Sequence, residues 1–158
     1  MIFCSPVLEK IRLSLTTTQM HSLISSNSAP HLLPLLREWF VLEWGNIDPF
    51  EGNEPSLIIP APIFAVEGEK LLGGLAFSMA RIPDSHEIGV WVNAVYVVPE
   101  YRGEGLGSQL VQKVKTEAAA INIKPLYAHT DIPNLYQRLH WSTVNCSGDS
   151  FVLTKTLS

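Results

Sequence analysis

The order of apolar runs and turns predicts an α/β sandwich built on a mixed sheet, and three observations carry that reading. Residues 62–81, "PIFAVEGEKLLGGLAFSMAR", hold two apolar runs around Glu67, Gly68, Glu69 and Lys70, the pattern of a hairpin turned at Gly68. The next run, "HEIGVWVNAVYVV", is apolar on both faces from 94 to 98, which makes it a central strand with layers on either side. That strand then passes through glycines into a helix, where Leu106, Leu110, Val114 and Ala118 recur every four residues.

The remaining elements fall in place around these. "EKIRLSLTTTQ", residues 9–19, reads as a first strand. "SAPHLLPLLREWFVLEW" reads as a helix: Ser28 can cap it, Pro30 suits its first turn, and Leu32, Leu36, Trp39, Phe40 and Glu43 keep helical spacing. Pro34 requires that the helix start close to it. "GNIDPFEGNEPS" is a turn-rich acidic loop. After the central helix come a short strand, "KPLYAHT", a short helix, "IPNLYQRLHW", and a closing strand, "SFVLTKTL". "NCSGDS" reads as a loop. Hairpins at the ends and one strand-loop-helix crossover in the middle make the sheet mixed.

The bulk numbers narrow the function. A chain of 158 residues with 46% hydrophobic and 16% charged residues suits a single globular domain over 1–158. Its net charge of -4 gives it no basic footprint for nucleic acid. No apolar run reaches the length of a membrane span, since "SLIIPAPIFAV" is broken by Pro60 and Pro62. Cys4 and Cys146 form no C-x-x-C and no secretory pattern opens the chain, so a cytoplasmic setting is the simpler expectation. The five histidines make no i, i+4 pair, and no metal site is expected. "LLPLLREWFVLEW" is greasy enough to serve either the core or a homodimer interface.

Residues 95–110, "VYVVPEYRGEGLGSQL", put Gly103, Gly105 and Gly107 between a strand and a helix N-terminus. Unpaired N–H groups and the positive end of a helix dipole meet there, and bare main chain lets a polyphosphate approach. The stretch fails the dinucleotide fingerprint, reading G-E-G-L-G-S, and it lacks the lysine of a P-loop. A plain turn would need one or two glycines; three favour a phosphate cradle.

These residues resemble the acyl-coenzyme A signature of the GNAT superfamily of N-acetyltransferases. That signature is an apolar strand, then Pro-Glu-x-Arg/Gln-x-x-Gly-x-Gly/Ala, then a helix, matched here by Pro99, Glu100, Arg102, Gly105 and Gly107. "NLYQRLHW" is similar to the family's Tyr-x-x-x-Gly-Phe segment through Tyr136 and Trp141. The resemblance implies a GNAT-like fold, a mixed and mostly antiparallel sheet with helices on both faces. It implies acetyl-coenzyme A as donor and an amine of a small molecule or protein as acceptor. Arg102, Gly103, Glu104, Gly105, Leu106, Gly107 and Ser108 would then bind the diphosphate. Val95, Tyr96 and Val97 would pair with the pantetheine arm. Three positions depart from the pattern: His140 replaces the glycine, so that turn is expected to differ, His129 stands where many members have Asn, and Lys124 where some have Glu.

Acetyl transfer needs a neutral amine, a stabilised oxyanion and a proton for the thiolate. Tyr136 is the candidate acid. His86 and Glu87 at the mouth of the central strand are candidates for the base, with Glu87 taken into the catalytic set. Asn93, polar in an apolar strand, lines the acyl pocket or marks a bulge. The alternative to an enzyme is a non-catalytic module that binds acyl-coenzyme A.

Overall fold

The computed structural model describes residues 21–45, 59–120 and 125–156. Among the described residues seven strands form one sheet in the order β1-β2-β3-β4-β5-β7-β6. They are β1 (Ser22–Ser25), β2 (Ile63–Glu67), β3 (Lys70–Arg81), β4 (Ile88–Val97), β5 (Leu126–Thr130), β6 (Ser142–Ser147) and β7 (Ser150–Lys155). Of the six pairings only β4 with β5 is parallel. The helices are α1 (Leu33–Trp44), α2 (Leu106–Ala120) and α3 (Pro133–Gln137). α2 is the crossover between the two parallel strands, as the glycine-to-helix pattern predicts.

Both faces of the sheet are covered. On one, Leu106, Leu110, Val114 and Ala118 of α2 pack on Ile63, Ala65, Leu75, Phe77 and Val92. On the other, Leu36 and Phe40 of α1 pack on Phe64, Val66, Leu71, Ala76 and Ala94. Leu36 and Phe40 are fully buried, and burial of such side chains contributes about 1.5–3 kcal/mol each. Gly74 lets α1 lie this close, since a Cβ there would come within 2.6 Å of the Leu36 side chain.

β4 changes face midway. Ala76 pairs with Ala94 and Phe77 with Val92, so Asn93 is an extra residue, a β-bulge. Val90 and Val92 therefore join the α2 layer while Ala94 and Tyr96 join the α1 layer, against simple alternation, and Val95 and Val97 return to α2. The expectation that Asn93 marks a bulge holds.

Several expectations are corrected. The helix does not start at Ser28 or Pro30: two 3-10 turns, Ser26–Ser28 and Pro30–Leu32, come first. Ser25, not Ser28, accepts the capping bond, from Asn27 N–H. Pro34 then sits in the first turn of α1, where its missing N–H leaves no helical bond unmade. The first strand expected over residues 9–19 lies outside the described residues, among which β1 comes first. The expected loop "NCSGDS" is a strand over Asn145–Ser147, the end of β6, with the turn confined to Gly148 and Asp149; the side chains of β6 are all exposed, so it carries no apolar signal. The turn at His140 does not avoid the glycine conformation, because His140 itself takes φ 69°.

Candidate active site

β4 and β5 stay paired only from Val90–Leu126 to Val92–Ala128. Beyond the bulge they part, and a cavity of about 490 Å³ opens between Asn93–Val95 and His129–Asp131. Asn93 thus lines the pocket as well as marking the bulge. Trp44, Leu135, Tyr136, Asp149 and Ser150 complete much of the wall. The carboxylates Asp131 and Asp149 face a space with no lysine or arginine among the described residues that line it.

Tyr136 is held from behind by the turn that ends α3. Trp141 N–H reaches back to the Tyr136 carbonyl at 3.1 Å and His140 N–H to the Gln137 carbonyl at 3.0 Å. These two bonds around a left-handed His140 are a Schellman C-cap. They bring the Trp141 ring edge-on to Tyr136, with centroids 5.2 Å apart. Lys155 Nζ donates to the Leu139 carbonyl at 3.1 Å and tightens the same turn. Tyr136 is only 4% exposed, and burial pushes its phenol well above the usual value. Burial thus favours the neutral phenol, the form that carries a proton. Across the cavity, His129 Nε2 shares a hydrogen bond with Ser150 Oγ.

A second cavity, about 670 Å³, lies over the glycine loop. Val97, Tyr101, Arg102, Gly103, Gly105, Leu106, Gly107 and Ser108 line it from one side, Asn134 and Arg138 of the α3 segment from the other. Gly103 and Gly105 have φ of 83° and 86°, which other residues adopt only under strain. The Gly105 carbonyl accepts from Gln109 N–H at 3.0 Å, which makes Gly105 the cap residue of α2. The N–H groups of Leu106, Gly107 and Ser108 therefore have no acceptor within the helix. A Cβ on Gly107 would meet no atom within 4 Å, so the space above this backbone is open. Unpaired donors, a helix N-terminus and clear approach together fit a diphosphate. The two cavities share Ile132 and Leu135 as a common wall.

The predicted site residues divide between these spaces. Val97, Arg102, Gly103, Gly105, Leu106, Gly107 and Ser108 line the cradle; Val95 and Tyr136 line the splay. Tyr96 turns to the α1 face, where the Trp39 ring packs tilted against it with centroids 5.4 Å apart, and Glu104 lines neither cavity. Glu87 is not brought to Tyr136. It sits in the 82–87 turn, its carbonyl bonded by Ile82 N–H at 2.9 Å, six residues or roughly 20 Å of strand before Asn93. The splay opens beyond Val92, not at the mouth of β4, and His86 shares the misplaced end. Among the described residues no group of His, Cys, Asp and Glu could hold a metal, and no helix is long and apolar enough to cross a membrane.

A model of the acetyltransferase (GNAT) family matches residues 21–141. The chain belongs to the GNAT acetyltransferase family. Solved GNAT structures share its fold at low identity. Arabidopsis thaliana Naa50 in complex with the bisubstrate analogue CoA-Ac-MVNAL superposes with a TM-score of 0.58 at 17% identity, over 87% of this chain and 99% of that one. Arabidopsis thaliana NAA60 in complex with acetyl-CoA gives 0.57 at 16%, over 87% and 100%. A putative GNAT acetyltransferase from Desulfovibrio desulfuricans gives 0.51 at 16%, over 62% and 69%. No curated protein matches the sequence. Within the GNAT fold, sequence reasoning left Trp44 and Ser150 unassigned. Ser150 lies 21 residues from His129, and the antiparallel β5–β7 register brings them together.

Proposed function

We propose that the protein moves an acetyl group from acetyl-coenzyme A to an amine by direct attack. The observation that carries this reading is the pair of cavities with a shared wall: a diphosphate cradle on one side of Ile132 and Leu135, a polar splay on the other. Bound acetyl-coenzyme A supplies an activated thioester. The N–H groups at the start of α2 hold its diphosphate. The edge of β4 beyond Val92 carries no β5 partner, and the main-chain groups of Ala94 and Tyr96 point the other way, to β3, so those of Val95 are open to the pantetheine arm. Tyr136 donates the proton that the departing thiolate takes. Asp131 and Asp149 favour an approaching cation, and hence an amine over an anionic acceptor. His129, which lines this cavity bonded to Ser150, takes the amine proton in this reading; Glu87 does not line the cavity.

Free thiol released from acetyl-coenzyme A, measured across a panel of small amines and short peptides, tests the reading. Thiol release that depends on an acceptor supports it. Coenzyme A binding with no acetylated acceptor in the panel would leave a binding module in its place.

A further inference from the structure

Arg102 lies in the cradle loop, yet most of its guanidinium is committed elsewhere. Its Nε donates to the Val97 carbonyl at 2.7 Å, its Cζ lies 5.3 Å from the Tyr96 ring centre, and a terminal nitrogen lies 3.7 Å from Glu43 Oε1. Glu43 is in the last turn of α1, next to Trp44, which lines the splay. One side chain of the donor loop therefore touches the end of the helix that walls the acceptor space.

We infer that Arg102 and Glu43 are positioning residues that pass occupancy of the cradle on to Trp44. The inference rests on the donor reading above. Gly103 and Gly105 flank an exposed loop segment with wide backbone freedom. An anion held by the N–H groups after them removes that freedom and fixes the backbone that carries Arg102. A fixed guanidinium holds Glu43 at smaller entropy cost and so steadies the last turn of α1. Linkage makes the effect reciprocal, so an ordered Trp44 also tightens the cradle. The two side chains are 33% and 43% exposed, which limits the coupling to a few-fold.

Amide hydrogen exchange of the full chain, with coenzyme A as the probe, tests this. Saturating coenzyme A is expected to slow exchange at residues 42–45 about threefold, the size a half-exposed ion pair transmits. Glu43→Gln keeps the side-chain shape and removes the charge. It is expected to abolish that protection while the coenzyme A Kd, from calorimetry, rises by no more than the same threefold or so. Equal protection in the variant overturns the inference. So does binding of coenzyme A to the wild type with no change at 42–45, and that outcome leaves the donor reading standing. Failure of coenzyme A to bind at all removes both.

Discussion

Replacing Gly107 by alanine separates the cradle from the fold. Gly107 has no positive φ and its Cβ would meet nothing within 4 Å, so the methyl is tolerated by the protein itself. Alanine is favoured over glycine inside a helix by up to about 1 kcal/mol, so the free protein should melt unchanged or up to about 3 °C higher. Helical Cβ atoms tilt toward the N-terminus, which aims this methyl at the space an anion would fill. Loss of one N–H contact to a charged phosphate costs about 1.5–3 kcal/mol, which raises the coenzyme A Kd at least about tenfold. At coenzyme A one hundred times the wild-type Kd, the wild type gains about 2.7 kcal/mol, or about 8 °C. The variant at the same concentration should gain at most about 1.4 kcal/mol, or about 4 °C. Differential scanning fluorimetry with and without coenzyme A reads both values. A Gly107→Ala protein that keeps the full 8 °C shift, taken as about that size, would place the diphosphate elsewhere. Gly105→Ala makes a poorer probe, because φ of 86° strains it before any ligand is added.

Tyr136→Phe keeps the packing on Trp141 and removes the proton, so kcat should fall about 100-fold with little change in the KM for acetyl-coenzyme A. Because burial raises the wild-type phenol's pKa, activity should show no alkaline limb from tyrosine ionisation near pH 10, its ordinary value; such a limb, lost in the Phe variant, would contradict the burial. His140→Gly relieves a left-handed histidine at φ 69°, less the entropy added to the unfolded chain, and should raise the melting temperature by about 2 °C in a thermal melt. Gly73→Ala would drive a Cβ to 2.4 Å from the backbone oxygen of Tyr96, whereas Gly74→Ala meets the movable Leu36 side chain at 2.6 Å. Urea denaturation should therefore show Gly73→Ala as the more destabilised, with Gly74→Ala losing about 1–3 kcal/mol.

What could be read before folding was whatever has a local period or a local backbone demand. The four-residue stripe of α2, the doubly apolar end of β4 and the glycines that need φ above 80° all announce themselves within a dozen residues. β6 could not be found that way, since every side chain on it faces solvent and its pairing with β7 runs through the backbone. The start of α1 was misread because Pro30 fits the first turn of a 3-10 helix as well as that of an α-helix. That Tyr136 lines the pocket was legible because its neighbours form a contiguous segment. The placing of Glu87 failed for a different reason: the end of β4 at which the sheet opens depends on where β5 stops pairing. His129 with Ser150, and Arg102 with Glu43, are contacts made by register and helix docking, at separations that no window along the chain spans.

The extra residue at Asn93 also has a meaning for how such a site can change over time. Face inversion in β4 comes from the count of residues, not from the chemistry of any one of them. No substitution at 93 can undo it; only an insertion or a deletion can. The side chain there is exposed and hangs in the acceptor space, released from any duty to the core. Position 93 is thus a place where selectivity can drift one residue at a time while the layers of the protein keep their phase.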